Sequence, residues 1–214
     1  MEGLIYKDLQ LFFRSQWLDK KLLVIAAGTI VLLMTQTGEY GGLLSSIMLA
    51  LTVSIQNILI VSSDEEACWP AYLRTLPVSS RQAVGGKYLA VLCTLAVSAA
   101  GSVVLNLLSG LFFGGGSLFL LKLSVCCAVV IPLLWTGLCL PLTYWFGFRA
   151  AQAMGLLLVI PLFCLVKFFE DGPGLAALPA ALSHGLALAL GGAVLLFALS
   201  YGVSVLGFRR KGRH

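Results

Sequence analysis

Unbroken apolar runs are the feature that most limits what this chain can fold into. Segments such as LLVIAAGTIVLLM (residues 22–34) and GLLLVIPLFCLV (residues 155–166) contain no charged side chain. In lipid the backbone must satisfy its own hydrogen bonds, so spanning segments are helices or closed barrels. Barrel strands alternate apolar and polar residues, and these runs do not alternate. The sequence therefore predicts an all-α polytopic membrane protein.

The composition agrees with six membrane spans. Of the 214 residues, 59% are hydrophobic and 11% are charged, whereas roughly 25% of the residues in a soluble domain are charged. A hydrocarbon core of roughly 30 Å needs ~20 apolar residues in helical conformation. Residues 1–214 are therefore predicted to form a single transmembrane domain, with no room for a soluble catalytic domain. The predicted spans are Leu22–Thr37, Gly41–Ser62, Tyr88–Phe113, Leu118–Phe146, Ala150–Phe169 and Ser183–Phe208.

The basic residues predict the orientation, because lysine and arginine concentrate on the cytoplasmic side. With both termini in the cytoplasm, 12 of the 14 basic residues lie inside, and only Lys122 and Lys167 lie at outer ends. The net charge of +5 is therefore interpreted as a sign of orientation and not of nucleic-acid binding. The 12 inner residues are Lys7, Arg14, Lys20, Lys21, Arg74, Arg81, Lys87, Arg149, Arg209, Arg210, Lys211 and Arg213.

Two segments outside the spans are also apolar in part. Leu4, Ile5, Leu11 and Phe12 share one helical face within residues 1–18. This pattern predicts a helix lying in the inner membrane interface, in contact with lipid; the alternative is an extension of the first span. Residues 167–182 begin with charges and a Gly-Pro-Gly turn and then become apolar, which predicts an outer loop or a re-entrant element.

The residues offer little support for catalysis. No acid lies inside a predicted span, and neither GxSxG nor HExxH occurs. The stretch AVGGKYL (residues 83–89) has Gly-Gly-Lys but lacks the spaced glycine and the Ser or Thr of a phosphate-binding loop. We therefore expect no catalytic residue, no metal site and no bound cofactor. If the protein uses ATP, another chain must hydrolyse it.

Uncharged polar residues occur within the spans. Gln56 and Asn57 lie in the second span and Asn106 in the third. They are candidates for lining a translocation path, but hydrogen bonding between helices is the interpretation we favour.

The inner connection, residues 63–87, contains DEEACWPAYLRTLP (residues 64–77). Residues 64–66 are all acidic and suit the first turn of a short helix, where negative charge meets the positive end of the dipole, with Ser62 or Ser63 as its cap. Pro70 suits a restart of the helix. Ser79 or Ser80 is expected to cap the helix that leads into the third span.

Bulky anchors follow in this connection. Trp69, Tyr72 and Leu73 stand next to Arg74, and aromatic residues and arginine dominate the energetics of protein interfaces. One interpretation is therefore a docking helix. The other is a loop that lies on the surface and docks on nothing.

At these residues the chain resembles the small six-span permeases of the ABC-2 transporter superfamily. The matching stretches are GLIYKDLQLFF (residues 3–13), the acidic exit from the second span and YLRTLPVSSRQAVGGKYL (residues 72–89). The resemblance implies a coupling helix that seats on a separate ATP-binding cassette ATPase subunit, which holds ATP and Mg. Its contact residues would be Glu66, Trp69, Tyr72, Leu73 and Arg74.

The resemblance has further implications. The N-terminal segment would lie close to the ATPase, and residues 167–182 would lie near an outer gate. A second permease copy or a paralogue would complete the path. Such proteins are mostly found in bacterial cytoplasmic membranes, where they export peptides, antimicrobials and other amphiphiles.

Two alternatives remain open from the residues. A membrane-embedded immunity or interaction protein would sequester a toxic peptide without ATP, and would tolerate loss of Trp69 and Tyr72. A secondary carrier or channel would transport without ATP and stop when the ion gradient collapses.

Overall fold

The structure is a computed structural model that describes residues 2–18, 28–32, 34–35, 40–73, 75–113, 117–149 and 178–210. These ranges are helical apart from short turns, and no strand occurs in them, which confirms the all-α prediction. The helices are α1 (Glu2–Leu18), α2 (Gly41–Glu66), α3 (Trp69–Leu73), α4 (Ser80–Phe113), α5 (Leu118–Phe146) and α6 (Leu178–Arg210).

Four of these helices are long and apolar enough to cross a membrane, so this is a multi-pass membrane protein. The spanning stretches are Gly41–Glu66, Ser80–Phe112, Leu118–Phe146 and Gly185–Arg210, and they correspond to the second, third, fourth and sixth predicted spans. Within the first predicted span, Leu22–Thr37, residues 28–32 and 34–35 are helical and the rest lies outside the described residues. The fifth, Ala150–Phe169, lies wholly outside them.

The chain divides into two compact units, Met1–Pro132 and Leu133–His214. In the first unit, α2 and α4 run antiparallel. Asn57 Nδ2 lies 3.0 Å from Thr94 Oγ1, and Ser102 Oγ lies 2.9 Å from Ser46 Oγ, so residue numbers fall along one helix as they rise along the other. The start of α5 is antiparallel to α4, because Ser98 Oγ donates to the Ala128 carbonyl at 2.9 Å and Asn106 Oδ1 accepts from Ser124 Oγ at 3.1 Å.

Helix α1 packs along α2 within the same unit. Phe12 is buried in a cluster with Val53 and Ile60, whereas Lys7 contacts Asp64 at the end of α2. At 1.5 Å per residue, Val53 and Ile60 lie ~16 Å and ~6 Å before Asp64 along α2. Helix α1 therefore runs obliquely back along α2, and its apolar face is covered by protein at Phe12.

In the second unit, the end of α5 packs against α6, and the two run in the same direction. A Cβ at Gly137 would lie 3.6 Å from Phe197 Cα. Further along, Trp145 Nε1 donates to the Val203 carbonyl at 3.1 Å, and the Arg210 guanidinium lies 5.4 Å from the centre of the Trp145 ring. The contacts pass from Gly137 and Phe197 to Trp145 and Val203, so residue numbers rise in the same direction along α5 and α6. The two helices are therefore parallel.

The boundaries of two segments differ from those predicted. Residues 178–182 belong to the first turns of α6, and residues 167–177 of the predicted outer segment lie outside the described part of the chain. Helix α2 extends through Glu66, four residues beyond the predicted end of the second span. Asp64, in this added turn, pairs with Lys7 and Lys87.

Candidate functional site

Four charged side chains meet where α1, α2 and α4 come together. Lys7 Nζ lies 2.6 Å from Asp64 Oδ1 and 3.2 Å from Asp8 Oδ1. Lys87 Nζ lies 3.5 Å from Asp8 Oδ1 and also contacts Asp64 Oδ2. Each lysine thus touches both aspartates, and each aspartate touches both lysines. We call Lys7, Asp8, Asp64 and Lys87 the charge ring.

The charge ring is shielded from solvent. The side chains of Asp8 and Asp64 are 6% and 8% exposed, and those of Lys87 and Lys7 are 14% and 25% exposed. A buried charge is costly unless it is paired, and here two positive and two negative charges cancel. Opening the ring would leave buried carboxylates without enough counter-charge, so the four side chains should move together.

The ring explains why the prediction for residues 64–66 is wrong. These residues are the last three of α2 and do not open a new helix. A carboxylate is disfavoured at the negative end of a helix dipole, but Asp64 there is neutralised by two lysines. Ser63 does not cap a new helix either, because its hydroxyl donates to the Leu59 carbonyl at 3.1 Å.

A glycine lets α1 reach the ring. Gly86 is buried in α4, and a Cβ built on it would lie 3.3 Å from Leu4 Cβ. A side chain at position 86 would therefore require Leu4 and α1 to shift by a few tenths of an ångström. Since Lys7 is one turn from Leu4 and Lys87 is adjacent to Gly86, this close approach brings the two lysines to the same aspartates.

A short helix, α3, follows α2 after a tight turn. Cys68 has a φ of 52°, in the left-handed region, and its carbonyl accepts from the amides of Ala71 and Tyr72 at 3.1 and 3.3 Å. Pro70 falls in the first turn of α3, where its missing N–H costs nothing. The chain therefore changes direction within two residues, and α3 stays close to the end of α2.

Helix α3 is tied to the charge ring through an aromatic contact. The Lys7 ammonium lies 4.2 Å from the centre of the Trp69 ring, within the range of a cation–π interaction. Trp69 in turn contacts Tyr72, with ring centres 5.3 Å apart. One lysine therefore contacts α1, α2 and α3 at the same time.

The predicted interface residues have different environments. Tyr72 is 55% exposed and Glu66 is exposed, so both face outward. Trp69 is half-buried, and Leu73 is buried and anchors α3. Arg74 lies outside the described residues. The side chains of Glu66 and Tyr72 are thus exposed on the protein surface, whereas Leu73 packs against the protein. That these residues bind a partner stays a prediction.

The restart of the chain as α4 follows the predicted pattern. Ser79 Oγ accepts from the Gln82 amide at 3.3 Å, and Gln82 Oε1 accepts from the Ser79 amide at 3.1 Å. This is a reciprocal capping box. The predicted cap at Ser79 is present, and it sets where α4 begins, seven residues before Lys87.

The polar residues inside the spans hydrogen-bond between helices. Asn57 is buried and pairs with Thr94. Asn106 Nδ2 donates to Ser46 Oγ at 3.1 Å, and Asn106 Oδ1 accepts from Ser124 Oγ at 3.1 Å. Gln56 is half-buried. These bonds join α2, α4 and the start of α5; that the three residues line a path stays a prediction.

Sequence reasoning singled out α3 but missed the charge ring. Lys7 and Asp64 are 57 positions apart, and Lys87 and Asp64 are 23 apart, so no local pattern pairs them. One signal was present: Gly85 and Gly86 stand before Lys87 inside a helix, where glycine is unfavourable. Such a glycine indicates a close approach by another segment.

Four apolar helices long enough to span a membrane, two of which are joined to α1 and α3 by the charge ring and its Lys7–Trp69 contact, define a polytopic membrane protein. The family described as ABC-2 family transporter protein matches residues 3–209, so the chain belongs to that family, as its resemblance predicted. Membrane proteins of this family generally pair with an ATP-binding subunit. Searches of curated proteins and of solved structures found no significant match.

Proposed function

We propose that this chain is the permease subunit of an ATP-binding cassette exporter in a bacterial cytoplasmic membrane. A separate ATPase subunit would bind ATP and Mg and hydrolyse ATP, and this chain would contribute no catalytic residue. The cargo would be an amphiphile such as a peptide or an antimicrobial. A second permease copy or a paralogue would complete the path.

The observation that carries the proposal is the connection of α3 to the spans. Helix α3 presents Tyr72 outward and holds Leu73 inward. Its Trp69 contacts Lys7, which belongs to the charge ring. Helix α3 therefore exposes one side to solvent and is linked on its other side to α1 and, through Lys7, to α2. This arrangement is the one expected of a coupling helix.

Helix polarity supports six spans. Helix α2 begins at the end of unit 1 opposite Lys7, because Asp64 at its far end contacts Lys7; in the proposed arrangement the chain between α1 and α2 would cross the membrane. In unit 2, the end of α5 and α6 are parallel, so in the proposed arrangement the chain between them would return across the membrane. These crossings correspond to Leu22–Thr37 and Ala150–Phe169.

The basic residues support cytoplasmic termini. Arg81 and Lys87 lie in the first turns of α4, and Arg209 and Arg210 end α6. In a six-span arrangement each of them would be on the side that the positive-inside rule assigns to the cytoplasm. The charge ring and α3 then face the cytoplasm, where an ATPase would be. Helix α1 would begin at the inner interface and incline along α2.

A pull-down tests the proposal. We would purify the tagged protein from its native membrane as wild type, as a Glu66→Ala/Tyr72→Ala variant and as a Tyr40→Ala control. Tyr40 is exposed at the opposite end of α2. A stoichiometric ATPase recovered with wild type and the control, and at least tenfold less with the double variant, supports the proposal. Absence of an ATPase from every folded sample overturns it and favours the immunity protein or the carrier.

A further inference from the structure

We propose that Lys7 is a positioning residue that transmits displacement of α3 to α1, α2 and α4. The inference rests on the proposed function, because the displacement would come from an ATPase bound to α3. It goes beyond that function by assigning the transmission to one side chain in the N-terminal helix.

The contacts of Lys7 carry the inference. Its ammonium lies 4.2 Å from the centre of the Trp69 ring on α3 and 2.6 Å from Asp64 Oδ1 at the end of α2. It also lies 3.2 Å from Asp8 Oδ1 on its own helix. The remaining corner of the charge ring, Lys87, lies on α4 and contacts both aspartates. A shift of Trp69 therefore acts on three other helices through one ammonium group.

Burial makes this connection stiff. Asp8 and Asp64 are almost inaccessible to solvent, so water cannot replace a lysine that moves away, and an open ring would leave buried charge uncompensated. The ring should follow Lys7 as a unit. The packing of Leu4 against Gly86 and of Phe12 against Val53 and Ile60 then carries the movement along α1 and α2.

The covalent connections of α3 offer a different route. Helix α3 is joined to α2 through the turn at Cys68 and to α4 through residues 74–79. If these connections alone transmitted movement, the identity of residue 7 would not matter. The test must therefore separate transmission through the side chain from transmission through the chain.

Hydrogen exchange in the intact complex makes this separation. The permease with its co-purified ATPase is compared without nucleotide and with ATP plus vanadate, and exchange is followed at residues 2–12, 69–79 and 80–90. The variants are Lys7→Met, which keeps the aliphatic stem, and Lys7→Arg, which keeps the charge and can stack on Trp69. Lys122→Met is the matched control, since Lys122 is exposed on α5.

We expect the nucleotide-dependent change at residues 69–79 to stay within about twofold of wild type in both Lys7 variants and in Lys122→Met. At residues 2–12 and 80–90, Lys7→Met should lower that change by about fivefold or more, while Lys7→Arg and Lys122→Met keep it. Trp69→Leu keeps all four charged side chains of the charge ring, and it is compared with wild type at equal ATPase content because Trp69 is itself a predicted ATPase contact. It should show the same loss at residues 2–12 and 80–90. It provides the result if Lys7→Met does not fold.

The outcomes separate the two proposals. If Lys7→Met or Trp69→Leu transmits the change to residues 2–12 and 80–90 as wild type does, the inference is overturned and the permease function stands. A loss spread equally over all three segments assigns Lys7 a merely structural role and also overturns it. If no ATPase co-purifies with any form, the permease function is overturned, and the inference with it.

Discussion

The Lys7 ammonium lies 2.6 Å from Asp64 Oδ1, which joins residues 57 positions apart and fixes the N-terminal helix to the end of α2. Through Asp8 and Lys87 the same junction includes α4. The N-terminal helix is therefore part of the packed core of unit 1. Because the aspartates of the charge ring are buried and each pairs with both lysines, we expect the four charges to stabilise unit 1 only as a complete set.

Neutralising one aspartate of the charge ring should strongly destabilise the protein. Asp64→Asn leaves Lys7 and Lys87 with Asp8 as their shared counter-charge, and breaking a buried ion pair costs about 3–5 kcal/mol. Thermal unfolding in detergent should show this loss. Glu66→Gln, at the same helix end but exposed, should change stability by no more than about 0.5 kcal/mol. Equal effects of the two substitutions would contradict the burial of the ring.

Exchanging one ion pair should not restore stability. In Asp64→Lys/Lys87→Asp the new lysine would face Lys7 and the new aspartate would face Asp8, so like charges would lie in contact. Inverting all four residues at once restores the alternating order of charges. This variant should recover at least half of the stability that the two-residue exchange loses relative to wild type. Full rescue by the two-residue exchange would mean that the contacts are independent pairs. The stability of both variants is measured as the unfolding temperature in detergent and as the yield of monodisperse protein.

Gly86 should tolerate a methyl group less well than Gly3. A Cβ at Gly86 would lie 3.3 Å from Leu4 Cβ, whereas a Cβ at Gly3 has nothing within 4 Å. Gly3→Ala should gain up to ~1 kcal/mol of helix propensity, while in Gly86→Ala an overpacking cost of about 1–3 kcal/mol should cancel or exceed the same gain. Faster hydrogen exchange at residues 2–12 in Gly86→Ala alone would report that α1 has moved. Identical stabilities would show that α1 does not pack there.

Asn57 and Thr94 should be energetically coupled. Their side chains are buried and lie 3.0 Å apart, and such bonds between membrane helices contribute about 0.6 kcal/mol on average. A double-mutant cycle with Asn57→Leu and Thr94→Val should give a coupling energy of that size. A coupling energy near zero, together with altered transport, would instead favour a place for Asn57 in the translocation path.

The sequence by itself determined the features that depend on neighbouring residues. Helix α5 spans Leu118–Phe146 as predicted, because a long apolar run in lipid has to satisfy its own backbone. Ser79 caps α4 because a capping box needs residues three apart. The stretches around residues 3–13 and 72–89 also sufficed to indicate the family that the full-length comparison established.

Only the tertiary structure decided what the charged residues near the spans do. Asp64 looked like the start of a helix, since an isolated carboxylate favours that end of the dipole. It ends α2 because Lys7 and Lys87 neutralise it, and neither is close in sequence. The same holds for Gly86, whose missing side chain matters only because Leu4 packs against it. Long-range pairing depends on how helices pack, and no periodicity within one helix reports on it.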